Sequence, residues 1–484
     1  MKSLCLIHGQ IDWIMLVWLQ IRGGGNTKEV FYNFTGSITK LKVKIENPGN
    51  YGLGYISGGI SKNKPTVIDW GNSMKTTLTT PITYSNQANN STDFYTNYSK
   101  PGEYVISIDG WYNHFQCNDS STEKSGVTQI SEVLIEVIQV SSLITDFSYT
   151  FRNCKNLTSI PSGLFDKNTS VRGFNNTFQN CTSLTSIPSG LFDKNTNVTD
   201  FSDTFSWCKN LTSIPSGLFD ENRKATDFDS TFKNCSSLTS IPSGLFDNNT
   251  NVTRFSGTFY GCESLKSIPS GLFDNNTNVT RFSGTFEKCS SLTKIPDGLF
   301  DKNISITNFV STFGGCSNLA SIPPGLFDNN TKVTGFASIF YDCSNLTNIP
   351  SGLFDNNESV TYFSGIFQGC SSLKGIPSGL FDNNTNVTSF NGTFENCSSL
   401  TSIPSGLFDK NTKVTNFYQA FYGCSKLTGE TPYTLSSDDK KIKLWHRNGT
   451  NGFTKPTETS RAFYDCTKLD DYREIPDKWK LYNS

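Results

Sequence analysis

The residues of this chain best suited to nucleophilic or metal chemistry are fourteen cysteines and three histidines. A zinc site draws Cys and His in closely spaced pairs. His8, His114 and His446 stand far apart, and no short-spaced Cys pair occurs. No G-x-S-x-G elbow, Walker-type loop or dinucleotide-binding fingerprint falls in a suitable context. Eleven of the cysteines, from Cys154 through Cys181, Cys208 and onward to Cys424, are each 27 residues apart, and Cys466 follows after 42. A thiol repeated at constant spacing is a structural position, because catalysis needs one unique constellation. The Asp of each GLFD segment recurs in the same way and is assigned to its turn. The loop FDNNTN (273–278) imitates the start of an EF-hand. It lacks the glycine and the bidentate glutamate that complete one. The sequence therefore assigns no catalytic residue, no metal site and no cofactor, and a non-enzymatic role is expected.

The elements that carry these residues form an array. One unit reads FSGTFYGCESLKSIPSGLFDNNTNVTR (255–281). Val252, Phe255, Phe259 and Cys262 fall at the spacing of one helical face, with Thr250 or Asn251 as N-cap. Leu265 and Ile268 bracket a short strand that ends at Pro269, and Leu272 and Phe273 return to the core. The expected fold is an α/β repeat solenoid, with a short strand and a helix per 27-residue unit. Stacked units bury a continuous ladder that no single unit could. Strands stack more closely than helices, so the array is expected to curve with helices outside. The in-phase cysteines are read as reduced thiols packed as small hydrophobes.

The pattern V-T-x-F-x-G-T-F-x-x-C-S-S-L-T-S-I-P of residues 387–404 resembles the BspA-like leucine-rich-repeat surface proteins. The likeness covers residues 142–429, with a degenerate last unit at 459–484 and an insertion at 430–458 between them. This chain carries Phe where many relatives have Met. The resemblance implies a recognition or adhesion protein of leucine-rich-repeat type, extracellular or at a cell surface. Such repeats also occur in phage virion proteins, so a virion fibre or decoration protein is the alternative reading.

Residues 29–116 differ in composition. Alternating stretches such as KLKVKIEN (40–47) and GEYVISIDG (102–110), separated by Gly, Asn and Pro turns, predict a small all-β sandwich. VIDWGNS (67–73) and YSKPGEYVISIDG (98–110) are similar to the PKD-type immunoglobulin-like domain, with Asn72 and Ser73 in place of the usual Asp-Gly. Residues 117–141 read as a linker, and VLIEVIQV (133–140) as a cap on the first repeat. Residues 1–28 are left open among a poor signal peptide, an attachment segment and a mis-called start.

Charge narrows the partners. Lys+Arg 41 against Asp+Glu 42 leaves a net charge of -1 without a basic block, which argues against nucleic acid. No apolar run is long enough to predict membrane insertion. A cell-surface glycan or protein is the expected partner. Two surfaces could meet it. One is a stripe of outward Thr and Ser, including Thr158, Ser159, Thr185, Ser186, Thr212 and Ser213, interrupted by Lys266, Lys294 and Lys374. The other is a set of aromatics at outward positions filled elsewhere by small or polar residues: Trp207, Tyr260, Tyr341, Tyr362, Tyr418, Tyr422 and Tyr464. The insertion adds Trp445, His446 and Arg447. A structural spacer without ligand is the third reading.

Overall fold

The computed structural model describes residues 38–53, 55–57, 60, 65–78, 95–110, 112, 114–117 and 127–481. The open question over residues 1–28 lies outside them.

Strand β1 (Thr39–Ile45) has the sequence TKLKVKI, so Leu41, Val43 and Ile45 face inward while its lysines face out. It pairs antiparallel with β7 (Gly102–Gly110) on one side and β10 (Leu134–Gln139) on the other. Strand β4 (Thr66–Asp69) and then β5 (Lys75–Leu78) extend the sheet, giving the order β10-β1-β7-β4-β5. Three further strands, β2 (Gly49–Gly52), β6 (Tyr95–Tyr98) and β9 (Val127–Gln129), form a sheet in which β2 and β9 run parallel. Strands β3 (Tyr55–Ser57) and β8 (His114–Gln116) make a short ladder. Buried Trp70 ties the layers together. Its Nε1 donates to Thr76 Oγ1 at 2.9 Å, and its carbonyl accepts from the Tyr98 hydroxyl at 2.7 Å. The run that suggested a cap is thus the edge strand β10. Contacts with the first repeat include the Cys117 N–H to the Thr150 carbonyl, 2.9 Å, and Phe115 against Phe151 at 5.7 Å.

The solenoid follows, and its repeats contain no helix. Among the described residues the α-helical segment is α1 (Asp477–Lys480), at the C-terminal end. The expected helix fails for a backbone reason. Gly257 and Gly261 have φ of 62° and 68°, and the matching positions of the other repeats share that left-handed conformation. A left-handed residue at every fourth position cannot continue a right-handed helix. The chain instead makes successive tight turns. The N–H groups of Thr258, Tyr260 and Cys262 close onto the carbonyls of Phe255, Gly257 and Phe259. Those of Phe255, Gly257, Phe259 and Gly261 reach out to Arg281, Ser283, Thr285 and Glu287 of the next repeat. Half of the donors that a helix would keep are spent between repeats. The four-residue step of this path places Phe255 and Phe259 on one side, which imitates helical spacing in the sequence. With no helices, the reason given for curvature lapses.

Two thinner ladders complete each unit. Parallel bridges link one residue per repeat, from Gly173 and Asp200 through to Asn416 and Glu458. Beside them an exposed threonine column from Thr199 to Thr457 is joined backbone to backbone, as in Thr226 N–H to Thr199 carbonyl at 2.9 Å. The Leu-Thr-Ser-Ile segment contributes sparse bonds of the same kind, such as Thr212 N–H to Thr185 carbonyl.

Inside, rings stack in register: Phe255 on Phe282 at 5.7 Å, Phe259 on Phe286 at 5.6 Å and Phe273 on Phe300 at 6.4 Å. The polar groups between them are paired across repeats. Thr258 Oγ1 bonds the carbonyls of Phe255 and Phe228, and Cys262 Sγ that of Phe232 at 3.3 Å. The thirteen described cysteines are buried free thiols, and burial pushes that of Cys316 up to about 12. The Asx-rich loop supplies an inner amide ladder rather than helix caps. Asn276 Nδ2 donates to the carbonyls of Phe246 and Asn249, at 3.1 and 2.9 Å.

The insertion forms the hairpin β11 (Tyr433–Leu435) and β12 (Lys441–Lys443). Lys443 Nζ meets Asp471 Oδ2 at 2.6 Å in a buried ion pair. Glu458 then rejoins the bridge column, and α1 seats Trp479 against Phe417 and Phe463.

Candidate functional site

The turn segment that follows the second Phe of each repeat carries two neighbouring columns, at the surface except for buried Ser206, Gly261 and Gly314. The first reads Arg152, Gln179, Ser206, Lys233, Tyr260, Glu287, Gly314, Tyr341, Gln368, Glu395, Tyr422 and Tyr464. The buried Phe before it and the Cys two places after it do not change. The second column is left-handed throughout, with φ between 53° and 74°. Ten of its twelve members are Gly, Asn or Asp, the residues that tolerate this conformation; Trp207 and Lys288 are the exceptions.

Both exceptions border one groove. Trp207, Lys209, Lys233, Asn234, Tyr260, Gly261, Glu263 and Lys288 line an open depression of about 580 Å³. A second of about 300 Å³ shares Lys233 and Tyr260 with it and continues over Ser256, Gly257, Gly284 and Glu287. The ammonium groups lie on the rings. Lys209 is 5.3 Å from the Trp207 centroid, and Lys233 and Lys288 are 5.1 and 5.3 Å from that of Tyr260. Further along, the Tyr341 hydroxyl meets Glu287 Oε1 at 3.0 Å. Burial raises the Glu287 carboxyl above its ordinary value, and burial with the Glu287 charge raises the Tyr341 phenol. Gly314 leaves the space that the Tyr341 ring occupies.

Of the residues singled out in the sequence, Trp207, Tyr260 and Tyr341 are drawn into this region. The others lie elsewhere. Tyr362 stands in the bridge column with its ring over Gly335. Tyr422 stacks on Tyr464 at 5.0 Å, and half-buried Tyr418 lies in the same unit as Tyr422. Trp445 packs against Trp479 at 6.4 Å beside exposed His446. Arg447 is not a surface residue. It is 3% exposed, and its guanidinium donates to the carbonyls of Phe408 and Asn411 at 2.8 and 3.2 Å. Those are the carbonyls that the ladder Asn of a further repeat would take, so Arg447 closes the array. The sequence reading missed Lys209, Lys233, Lys288 and Glu287. Lys233 and Glu287 share the Tyr260 column, so comparing repeats for charge as well as for aromatics would have found them.

No group of three or more His, Cys, Asp or Glu among the described residues could hold a metal ion, and no helix there is long and apolar enough to cross a membrane.

Several solved structures show partial likeness. A leucine-rich cell surface protein from Faecalibacterium prausnitzii is 22% identical over 62% of this chain and 79% of that one, with a TM-score of 0.32. A chain of the Toll–Spätzle complex from Drosophila is 18% identical over 65% of this chain and 40% of that one, at 0.30. A chain of the octameric complex of latrophilin 3, Unc5D and FLRT2 is 15% identical over 63% and 80%, at 0.28. At TM-scores of this size the likenesses settle nothing about ligand or location. No curated protein matches the chain. A family model described as "Mycoplasma protein of unknown function, DUF285" matches residues 125–244, 173–299, 226–349 and 307–434, which together run unbroken from 125 to 434. The chain belongs to the DUF285 family.

Proposed function

We propose that this is a non-enzymatic recognition protein, displayed at a cell surface, that binds a protein or glycan of another cell through the variable face of its solenoid. The observation that carries this reading is the contrast between columns. The ladder Asn, the stacked Phe and the buried Cys repeat almost without change, whereas the column through Tyr260 runs at its solvent-reaching positions through Arg, Gln, Lys, Tyr and Glu. A scaffold that only spans distance gains nothing from such diversity, while a binding face requires it. The resemblance to BspA-like surface proteins supports the same role and location. An array of repeated units offers copies of each side chain, which supports binding over catalysis.

The test is binding of the labelled full chain to arrays of surface proteins and glycans. Saturable binding to a subset of either is expected. A chain that binds neither is a spacer, and the reading fails.

A further inference from the structure

We propose that the Trp207–Tyr260 groove holds an extended acidic segment of a protein partner, with its carboxylates on Lys209, Lys233 and Lys288; this rests on the recognition reading above. Three observations support it.

The first is charge. In a chain of net charge -1, three ammonium groups converge on one groove that contains Glu263 as its exposed counter-charge. Among the described residues none of the ion pairs includes Lys209, Lys233 or Lys288. Their close partners are the rings of Trp207 and Tyr260, which hold the cations in place, while Glu263 and Glu287 nearby offset only part of the charge of the three. A concave wall in which one sign of charge is in excess favours a ligand of the other sign.

The second is backbone strain. Trp207 and Lys288 occupy left-handed positions where every other repeat has Gly, Asn or Asp. A bulky side chain there costs stability, and such costs collect at functional sites. Of twelve equivalent positions, the two that bear this cost are both at the groove.

The third is spacing. The rings Phe205, Phe232, Phe259 and Phe286, one per repeat beneath the groove, are 5.7, 5.7 and 5.6 Å apart. Alternate side chains of an extended peptide are about 6.6 Å apart. A peptide running along the solenoid therefore sets alternate residues against successive repeats to within about 1 Å per repeat, close enough for long Glu and Lys side chains to meet over these few units. A neutral sugar would need open ring faces for stacking, and the ammonium groups already lie over the rings of Trp207 and Tyr260.

The experiment titrates the full chain into a fluorescein-labelled peptide of alternating Glu and Ser, followed by anisotropy, with a Lys-Ser peptide and heparin as the other probes. Saturable binding of the Glu-Ser peptide is expected, with the Lys-Ser peptide ignored. Added salt should weaken it, and combined Lys209→Gln, Lys233→Gln and Lys288→Gln should weaken it about tenfold or more. Trp207→Asn should weaken binding while raising the melting temperature, which a merely structural tryptophan would lower. Glu-Ser binding that is absent, or unchanged in the lysine variant, overturns the proposal. So does lysine-dependent binding of heparin alone, which would assign the groove to a polyanionic glycan. A melting temperature that falls in Trp207→Asn removes the strain argument. A chain that binds arrayed surfaces but not this peptide refutes the acidic segment alone; one that binds nothing refutes the recognition reading as well.

Discussion

Asn276 shows how one residue type serves two purposes that look alike in a sequence. Every GLFD loop is rich in Asx, and Asx residues cap helices and close turns. From composition alone the loop reads as a helix cap. Comparing units shows that the residue before the ladder position varies, as Lys167, Glu221 and Asn248, while Asn168, Asn222 and Asn249 do not. The unvarying one is buried, with both amide hydrogens on carbonyls of the preceding repeat, as for Asn276. Asn276→Ala takes one of two donors from each of two inner carbonyls, which keep the N–H groups of Asn249 and Val252, and denaturant titration should show a loss of about 1–3 kcal/mol. A loss below about 1 kcal/mol would remove the ladder from the account of stability. Asp229 is the opposite case, a residue that costs stability. Burial, with the charge of Asp227 next, pushes its carboxyl from 3.8 up to about 6, although Ser256 and Arg254 favour the ionised form. Its folded value exceeds its unfolded one, so the folded chain holds a proton that the unfolded chain has lost. Stability therefore falls as pH rises through the window between 3.8 and about 6. Equivalent repeats carry Asn175 and Asn391 there. Asp229→Asn should be more stable than the native chain by about 1–2 kcal/mol at neutral pH. The two should converge once the solution is more acidic than the unfolded value. An advantage that grows on acidification would refute the assigned cause.

At the scale of elements, the sequence was legible where side chains alternate and misleading where the backbone decides. KLKVKIEN and GEYVISIDG became β1 and β7 because period-two burial has one structural solution. The repeat itself read as a helix because Phe255, Phe259 and Cys262 keep near-helical spacing, yet Gly257 and Gly261 turn the chain left-handed between them. Asn180, Trp207 and Lys288 adopt the same conformation without being glycine, so the signal lay in the column as a whole, ten of twelve being Gly, Asn or Asp, and not in any single unit. The insertion was visible as a break in period, but not what it does. Arg447 reads as an exposed base in HRNG, and only the fold shows it completing the amide ladder at Phe408 and Asn411. Arg447→Met should strip one donor from each of those two carbonyls and cost about 1–3 kcal/mol. Amide exchange should accelerate first in the C-terminal repeats and leave the middle of the array unchanged. Uniform acceleration along the array would mean that Arg447 does not act as its end cap.

Across the whole molecule, sameness and difference are separated in space. Ladders of Phe, Asn, Thr and Cys fix each repeat to its neighbours, so the surface columns are free to vary without altering the scaffold. That separation was legible in the sequence, since the variable aromatics were visible as departures from the repeat. Which of them meet was not. Trp207, Tyr260 and Tyr341 come from different units, and the lysines between them give the groove its charge. Tyr422, Tyr464 and Trp445, equally aromatic, lie at the C-terminal end. The measurement that tests recognition most directly is flow cytometry of the labelled full chain on a panel of intact bacterial and animal cells. The chain carrying Lys209→Glu, Lys233→Glu and Lys288→Glu would be run beside it. The account predicts saturable binding of the native chain to some cells and its loss in the charge-reversed one. Native chain that saturates on no cell of the panel, as a spacer would behave, contradicts it.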